Sequence, residues 1–304
     1  MKVFLWIVIG GGIFFALPST MYLAVFKGIF GRVKLPEPDL KVWCRGDEAL
    51  ETLYCEALEE FKALRFRDVT IEAFDGKRLH GRYLNRENSK LMILAHGYRT
   101  RPEINFAPQI QDFLAQGFDL LLIDHRAHGQ SQGLFGSMGS LEGRDVLSWI
   151  DWAPYEQVVV YGVSMGCAAV GHASGKIRDG KVRGLIMDCG FSNFYDELNY
   201  KCDLWKMKKT GFANAENLLA KLFLRVDLKE NTASSLKRCK VPIFFIHGAL
   251  DDEVPVQELY RQYEACASAR QSLVIENAHH ALAYAMGGER SRQAIRCFLE
   301  QCTG

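Results

Sequence analysis

The chain has 304 residues, 48% of them hydrophobic and 24% charged, so it can bury a sizeable core and its length is compatible with one α/β domain. A formal net charge of +1 gives no electrostatic reason to expect nucleic acid or a strongly acidic substrate. Nothing repeats at a fixed period, no segment is of low complexity, and the run Lys206-Met207-Lys208-Lys209 reads as a solvated face.

Val3 to Phe26 is a 24-residue stretch without a charged side chain. At about 1.5 Å per residue it is long enough to cross a hydrocarbon core. A signal peptide would stop at a small-x-small site, whereas here hydrophobicity resumes after Pro18-Ser19-Thr20 with Met21 to Phe26. Residues 1–34 are therefore expected to be a retained transmembrane anchor. Lys2 stands alone before the span, and Lys27, Arg32, Lys34 and Lys41 follow it, which places the body on the cytoplasmic side of a cell membrane. The nine cysteines are odd in number, scattered and without C-x-x-C spacing, the usage of reduced thiols.

Pro36 and Pro38 mark a linker, and Ala49 to Leu64 reads as a helix packing beneath the body, so residues 35–65 form a linker and packing helix. Arg67 to Phe74 alternates, turns at Asp75-Gly76 and resumes at Leu79 to Leu84, the pattern of a hairpin. Apolar strands follow at Leu91–Ala95, Asp119–Ile123, Gln157–Tyr161, Val182–Met187, Ile243–Ile246 and Ser272–Ile275. Helices at Ile104–Gln116, Leu141–Trp152, Met165–Lys176, Val256–Ala269 and Glu289–Gln301 separate them. Strands apolar on both faces and alternating with helices imply a mostly parallel sheet covered on both sides, here with an antiparallel edge hairpin. Ligands then bind beyond the carboxyl ends of the strands.

Each chemically interesting residue falls at such an end. Gly162-Val163-Ser164-Met165-Gly166 is a G-x-S-x-G turn between a strand and a helix, the local structure that exposes a nucleophilic serine. His96-Gly97-Tyr98-Arg99 follows an earlier strand, and the main-chain N–H groups of Tyr98 and Met165 are the expected oxyanion donors. His125-x-x-His128 lacks the helical H-E-x-x-H frame of a metal site, and Asp124 and Arg126 read as braces of their loop. His247-Gly248-x-x-Asp251 offers a carboxylate to orient a histidine, with Asp252 as a neighbour and Asp188 as a third candidate. Asp188 has a competing role in bracing the turn Cys189-Gly190-Phe191. After the last strand, His279 or His280 is the expected general base.

Taken together these motifs resemble the α/β-hydrolase superfamily, closest to bacterial membrane-anchored hydrolases of the serine aminopeptidase-like, lysophospholipase-like group. The shared pattern includes Asp124-x-Arg126-x-His128-Gly129-x-Ser131, Asp188-Cys189-Gly190-Phe191, Val254-Pro255 and Ala278-x-His280-Ala281, and runs from about Phe66 to Phe298. The resemblance implies an α/β-hydrolase domain over residues 66–304 with a helical lid insertion at about 192–240. It implies Ser164, Asp251 and His280 as a triad, selecting His280 because Ala-Gly-His-Ala is the usual form of that loop. It implies no metal and no cofactor. The expected partner is a small acyl substrate, lipid-like ones included, cleaved as a carboxylic ester. Peptidase, thioesterase and lysophospholipase activities use the same triad, and a catalytically silent binding or scaffold role uses the same fold.

Overall fold

The computed structural model describes residues 21–304 apart from 36, 179, 205 and 207–210. Residues 21–30 are helical and are called α1. The elements that follow are α2 (Leu40–Trp43), α3 (Glu48–Ala63), β1 (Arg67–Glu72), β2 (Arg78–Leu84), β3 (Lys90–Ala95), α4 (Pro102–Ala115), β4 (Phe118–Ile123), α5 (Ser140–Trp152), β5 (Gln157–Val163) and α6 (Met165–Ser174). The remainder comprises β6 (Val182–Asp188), α7 (Phe194–Leu204), α8 (Phe212–Phe223), α9 (Ala233–Leu236), β7 (Ile243–Gly248), α10 (Gln257–Ala265), β8 (Arg270–Ile275) and α11 (Ala283–Thr303).

The eight strands form one sheet in the order β1-β2-β4-β3-β5-β6-β7-β8. β1 and β2 pair antiparallel, β2 joins β4 antiparallel, and the other pairs are parallel. Strand side chains alternate between two cores. Leu91 and Ile93 of β3 join Val158 and Val160 of β5 beneath Trp149 on one face. Met92, Leu94, Val159 and Tyr161 meet Phe113 and Phe298 on the other. A central strand must therefore be apolar at every position, which is why these runs show no period-two pattern. On the second face α3 is capped by Asp47, whose carboxylate accepts the N–H groups of Ala49 and Leu50 at 3.0 Å each.

A third cluster lies above the carboxyl ends of the strands. Phe26 and Phe30 of α1 pack there with Met138, Met165, Phe191 and Val254. The first 20 residues of the expected anchor lie outside the described residues. Its end, from Met21, is a helix docked on the body: Phe26 contacts Phe135 and Phe223 at ring-centroid distances of 5.6 and 5.7 Å. Burying Phe26 and Phe30 contributes roughly 1.5–3 kcal/mol each to holding the described part of this helix on the body. Among the described residues, no helix is long and apolar enough to cross a membrane.

The stretch 192–240 holds α7, α8 and α9 and, among its described residues, no sheet strand. α7 begins at Phe194, where Asn193 Oδ1 accepts the Asp196 N–H at 2.8 Å. α11 is two helical stretches that meet at Gly288, where φ 53° and ψ −130° leave helical geometry, so the long second stretch starts at Glu289 as expected and a short one from Ala283 precedes it. No disulfide joins the described cysteines.

Candidate active site

Ser164 occupies the turn between β5 and α6 with φ 55° and ψ −116°. A positive φ is costly for a residue with a Cβ, of the order of 1–3 kcal/mol, and the surroundings must enforce it. They do so sterically. A Cβ on Gly162 would meet Gly166 O at 2.3 Å, and one on Gly166 would meet Ala95 O at 2.1 Å. The two glycines let β5, the start of α6 and the end of β3 approach this closely. The Ser164 N–H donates to Asp188 O at 2.9 Å, which fixes the turn from below.

The serine begins a chain of hydrogen bonds. Its Oγ lies 2.9 Å from His280 Nε2, and His280 Nδ1 lies 2.7 Å from Asp251 Oδ2. The other carboxylate oxygen of Asp251 accepts the N–H groups of Glu253 and Val254 at 2.9 and 2.8 Å. His247 Nε2 stands 3.1 Å from Asp251 Oδ2. Burial alone would push the Asp251 carboxyl up, but His280 and His247 outweigh it and hold it well below the usual carboxylate range. Burial likewise opposes the charged form of His280, and the adjoining Asp251 carboxylate overcomes it and raises the imidazole above its ordinary value.

The alternative residues are occupied elsewhere. His279 turns its Nδ1 to Leu250 O at 2.9 Å. Asp252 is held by the Arg45 guanidinium, one contact being 2.9 Å. Asp188, fully buried, accepts from Tyr161 Oη at 2.9 Å, and burial raises its carboxyl to about 6 against that hydrogen bond. It braces the serine turn and does not meet His280. Asp124 and Arg126 brace their loop as expected. Asp124 Oδ2 accepts from Gln130 N at 2.9 Å, and Arg126 makes two bonds of 2.7 and 2.6 Å to buried Asp145. His128 uses Nε2 to accept the Arg99 N–H at 3.2 Å, with Nδ1 3.0 Å from Arg126 O.

Near Tyr98 the neighbouring amides are committed. Gly97 N–H donates to Asn105 Oδ1 at 2.8 Å and Arg99 N–H to His128 Nε2, with the Tyr98 amide between them. Met165 is the first residue of α6, so its N–H is among the donors a helix start leaves without an intrahelical partner. The Tyr98 hydroxyl donates to Ile29 O of α1 at 2.5 Å.

Ser164 and His280 lie between two hollows. One, of about 480 Å³, is lined mainly by apolar side chains, among them Val25, Ile29, Met138, Phe194, Leu198 and Phe212. Its polar corner holds Lys201, 2.7 Å from Glu253 and 3.7 Å from Glu197. Burial drives the Glu197 carboxyl up to about 7, with Lys201 opposing. The other hollow is a cleft of about 810 Å³ bounded by Val42, Trp43, Arg45, Thr100 and Asp252. Sequence reading quoted His247 without a role and passed over Asn105, Glu197 and the contribution of α1. His247 and Asn105 act through partners 4 and 8 residues away across folded turns, a proximity no local pattern encodes.

Similarity to solved structures agrees with this architecture. An esterase from Pyrococcus furiosus, Pf2001, superposes with a TM-score of 0.67 at 20% identity, covering 90% of this chain and all of that one. The chain has the α/β-hydrolase fold. Est1E from Butyrivibrio proteoclasticus, solved with ferulic acid bound, shares this fold with a TM-score of 0.63 at 19% identity, over 77% of this chain and 98% of that one. Residues 86–226 of the hydrolase-fold body match the family described as serine aminopeptidase, S33. The uncharacterized protein YqkD of Bacillus subtilis is 26% identical over 253 residues, 81% of this chain and 82% of that protein. The thiohydrolase aneE of Aspergillus aculeatus is 29% identical over 134 residues, 41% of each chain.

Proposed function

We propose that the protein is a serine hydrolase that cleaves a carboxylic ester through an acyl-enzyme. The observation that carries this reading is the Ser164–His280–Asp251 chain, in which one imidazole contacts a hydroxyl with Nε2 and a buried carboxylate with Nδ1. Ser164 Oγ attacks the acyl carbon while His280 Nε2 takes its proton. The Tyr98 and Met165 N–H groups stabilise the tetrahedral oxyanion, a contribution of about 10²–10³ in rate for each such donor. Collapse breaks the bond to the leaving alkoxide, which receives that proton from His280. Water then attacks the acyl-serine, gives a proton to His280, and the acid departs as the proton returns to Ser164. Asp251 keeps the imidazole in the required tautomer and stabilises its cationic form.

An ester is the substrate this reading favours because the 480 Å³ apolar hollow beside Ser164 suits a hydrocarbon acyl group, and the neighbours Pf2001 and EaEST from Exiguobacterium antarcticum are named as esterases. The likeness to a thiohydrolase supports a thioester as the second reading. A series of p-nitrophenyl esters of increasing acyl length is the test. The wild type is expected to turn over at least one member, His280→Ala none, and His279→Ala at least about a tenth of wild-type activity, a barrier change of about 1.4 kcal/mol or less. Silence of the wild type across the whole series would exclude the ester reading, and reversal of the two histidine variants would exchange their roles.

The sequence further supports attachment to a membrane with the body on the cytoplasmic side. The segment read as crossing is the uncharged run that begins at Val3 and leads into α1, whose Phe26 and Phe30 are docked on the body. Cys297, exposed on α11, is expected to resist an impermeant maleimide in intact cells and to react once the membrane is opened. Labelling in intact cells would reverse the orientation.

A further inference from the structure

Helix α1 has two faces with different duties. Phe26 and Phe30, four residues apart, are buried against the body, each only 2% exposed. Val25, Gly28 and Ile29 turn the adjacent face to the apolar hollow beside Ser164. Tyr22 stacks on Phe212 of α8 with ring centroids 6.4 Å apart, so α1 and α8 meet along the rim of that hollow.

The C-terminal end of α1 is fastened by hydrogen bonds to segments far away in sequence. The Tyr98 hydroxyl donates to Ile29 O, and the Arg99 guanidinium donates to Gly28 O. Gly136 N–H donates to Phe30 O at 2.8 Å, and Arg32 N–H to Leu134 O at 2.8 Å. Arg32 also reaches Ser131 O at 2.5 Å with its guanidinium. Tyr98 and Arg99 belong to the loop assigned above to the oxyanion, so this helix is tied directly to the reacting centre. It precedes the segment that matches the serine aminopeptidase family, and its first six residues are the end of the uncharged run that reads as a membrane span.

We propose that α1 is a specificity-determining wall of the active site, in which Gly28 and Ile29 set the length of acyl chain accepted at Ser164. This proposal rests on the acyl-enzyme reading above. Gly28 marks where the wall is thinnest. A Cβ built there meets nothing within 4 Å, and its φ is not in the left-handed region, so a side chain can be added without strain. A leucine at this position occupies space otherwise left for the distal part of an acyl chain. Ile29 contributes the opposite lever. Its carbonyl holds the Tyr98 hydroxyl through the main chain, so truncating the side chain enlarges the hollow and leaves that hydrogen bond in place.

The test uses the full chain and alkyl fluorophosphonates from ethyl to hexadecyl, which phosphonylate a nucleophilic serine with loss of fluoride. The quantity read is the ratio of Ser164 labelling rates for long and short alkyl groups. Gly28→Leu is expected to lower that ratio by about tenfold or more, the scale on which a pocket discriminates by filled volume. Ile29→Ala is expected to move the optimum to longer chains. Leu23→Ala, on the exposed side of the same helix, should leave the ratio unchanged. Opposite shifts from the first two variants cannot arise from partial unfolding, which would depress all chain lengths together. Superimposable profiles, or a uniform loss in both variants, would overturn the wall. If the ratios shift as expected while no p-nitrophenyl ester is hydrolysed, the wall stands and the ester reading falls. If the wild type is not labelled at Ser164, both fall.

Discussion

Ser164→Ala is expected to remove hydrolysis almost entirely, by about six orders of magnitude in kcat, as when the nucleophile of a serine triad is deleted. It should also abolish labelling by a fluorophosphonate. The loss would be chemical in origin. Position 164 has φ 55°, and alanine carries a Cβ as serine does, so the variant keeps both the strain and the turn. An unchanged thermal midpoint, measured by circular dichroism beside the labelling assay, would separate the two causes. Equal labelling of wild type and variant, or a labelled peptide containing Ser131 or Ser192, would move the nucleophile elsewhere.

The second large effect is expected at Asp251. Asp251→Asn should lower kcat by about three to four orders of magnitude, because an amide facing His280 Nδ1 favours the wrong tautomer and cannot stabilise the imidazolium. The fold has two anchors to retain the loop, since the other side-chain oxygen can still accept from Glu253 and Val254. Asp188→Asn is the contrasting variant. It changes the acceptor of the Tyr161 hydroxyl and leaves the His280 pair untouched, so its kcat should stay within about tenfold of wild type. A fall of several orders of magnitude in Asp188→Asn alone, with intact circular dichroism, would show that the acid had been placed on the wrong strand end.

The sheet was readable from sequence because β3 and β5 are apolar at consecutive positions, and burial on both faces leaves no other periodicity to expect. The serine turn was readable because Gly162 and Gly166 are required by contacts within a few residues and at one neighbouring strand end. His279 and His280 were separable only through the resemblance. Adjacent residues in a loop share every local signal, and what distinguishes them is that one ring meets Leu250 O and the other Asp251. α1 escaped for a different reason. An uncharged run has the same composition whether its surroundings are hydrocarbon or the aromatic rings of Phe135 and Phe223. What escaped at α11 was the short helical stretch from Ala283, while the start at Glu289 was readable because the backbone leaves helical geometry at the preceding Gly288.

The two hollows that meet at Ser164 bear on which molecule accepts the acyl group. On the proposed acyl-enzyme reading, a hydrocarbon held in the apolar hollow would leave the cleft beside Trp43, Arg45 and Thr100 to the departing alcohol. Once it leaves, water must enter along the same side, because His280 activates whatever hydroxyl approaches its Nε2 from there. On that reading water and alcohols would compete for a single acyl-serine. The outcome of that competition is governed by the affinity of the cleft for a hydroxyl compound, while the apolar hollow governs only which acyl group is on offer. Donor choice and acceptor choice would then be lodged in separate walls of one site, and the balance between hydrolysis and acyl transfer would belong to the wall that carries Arg45.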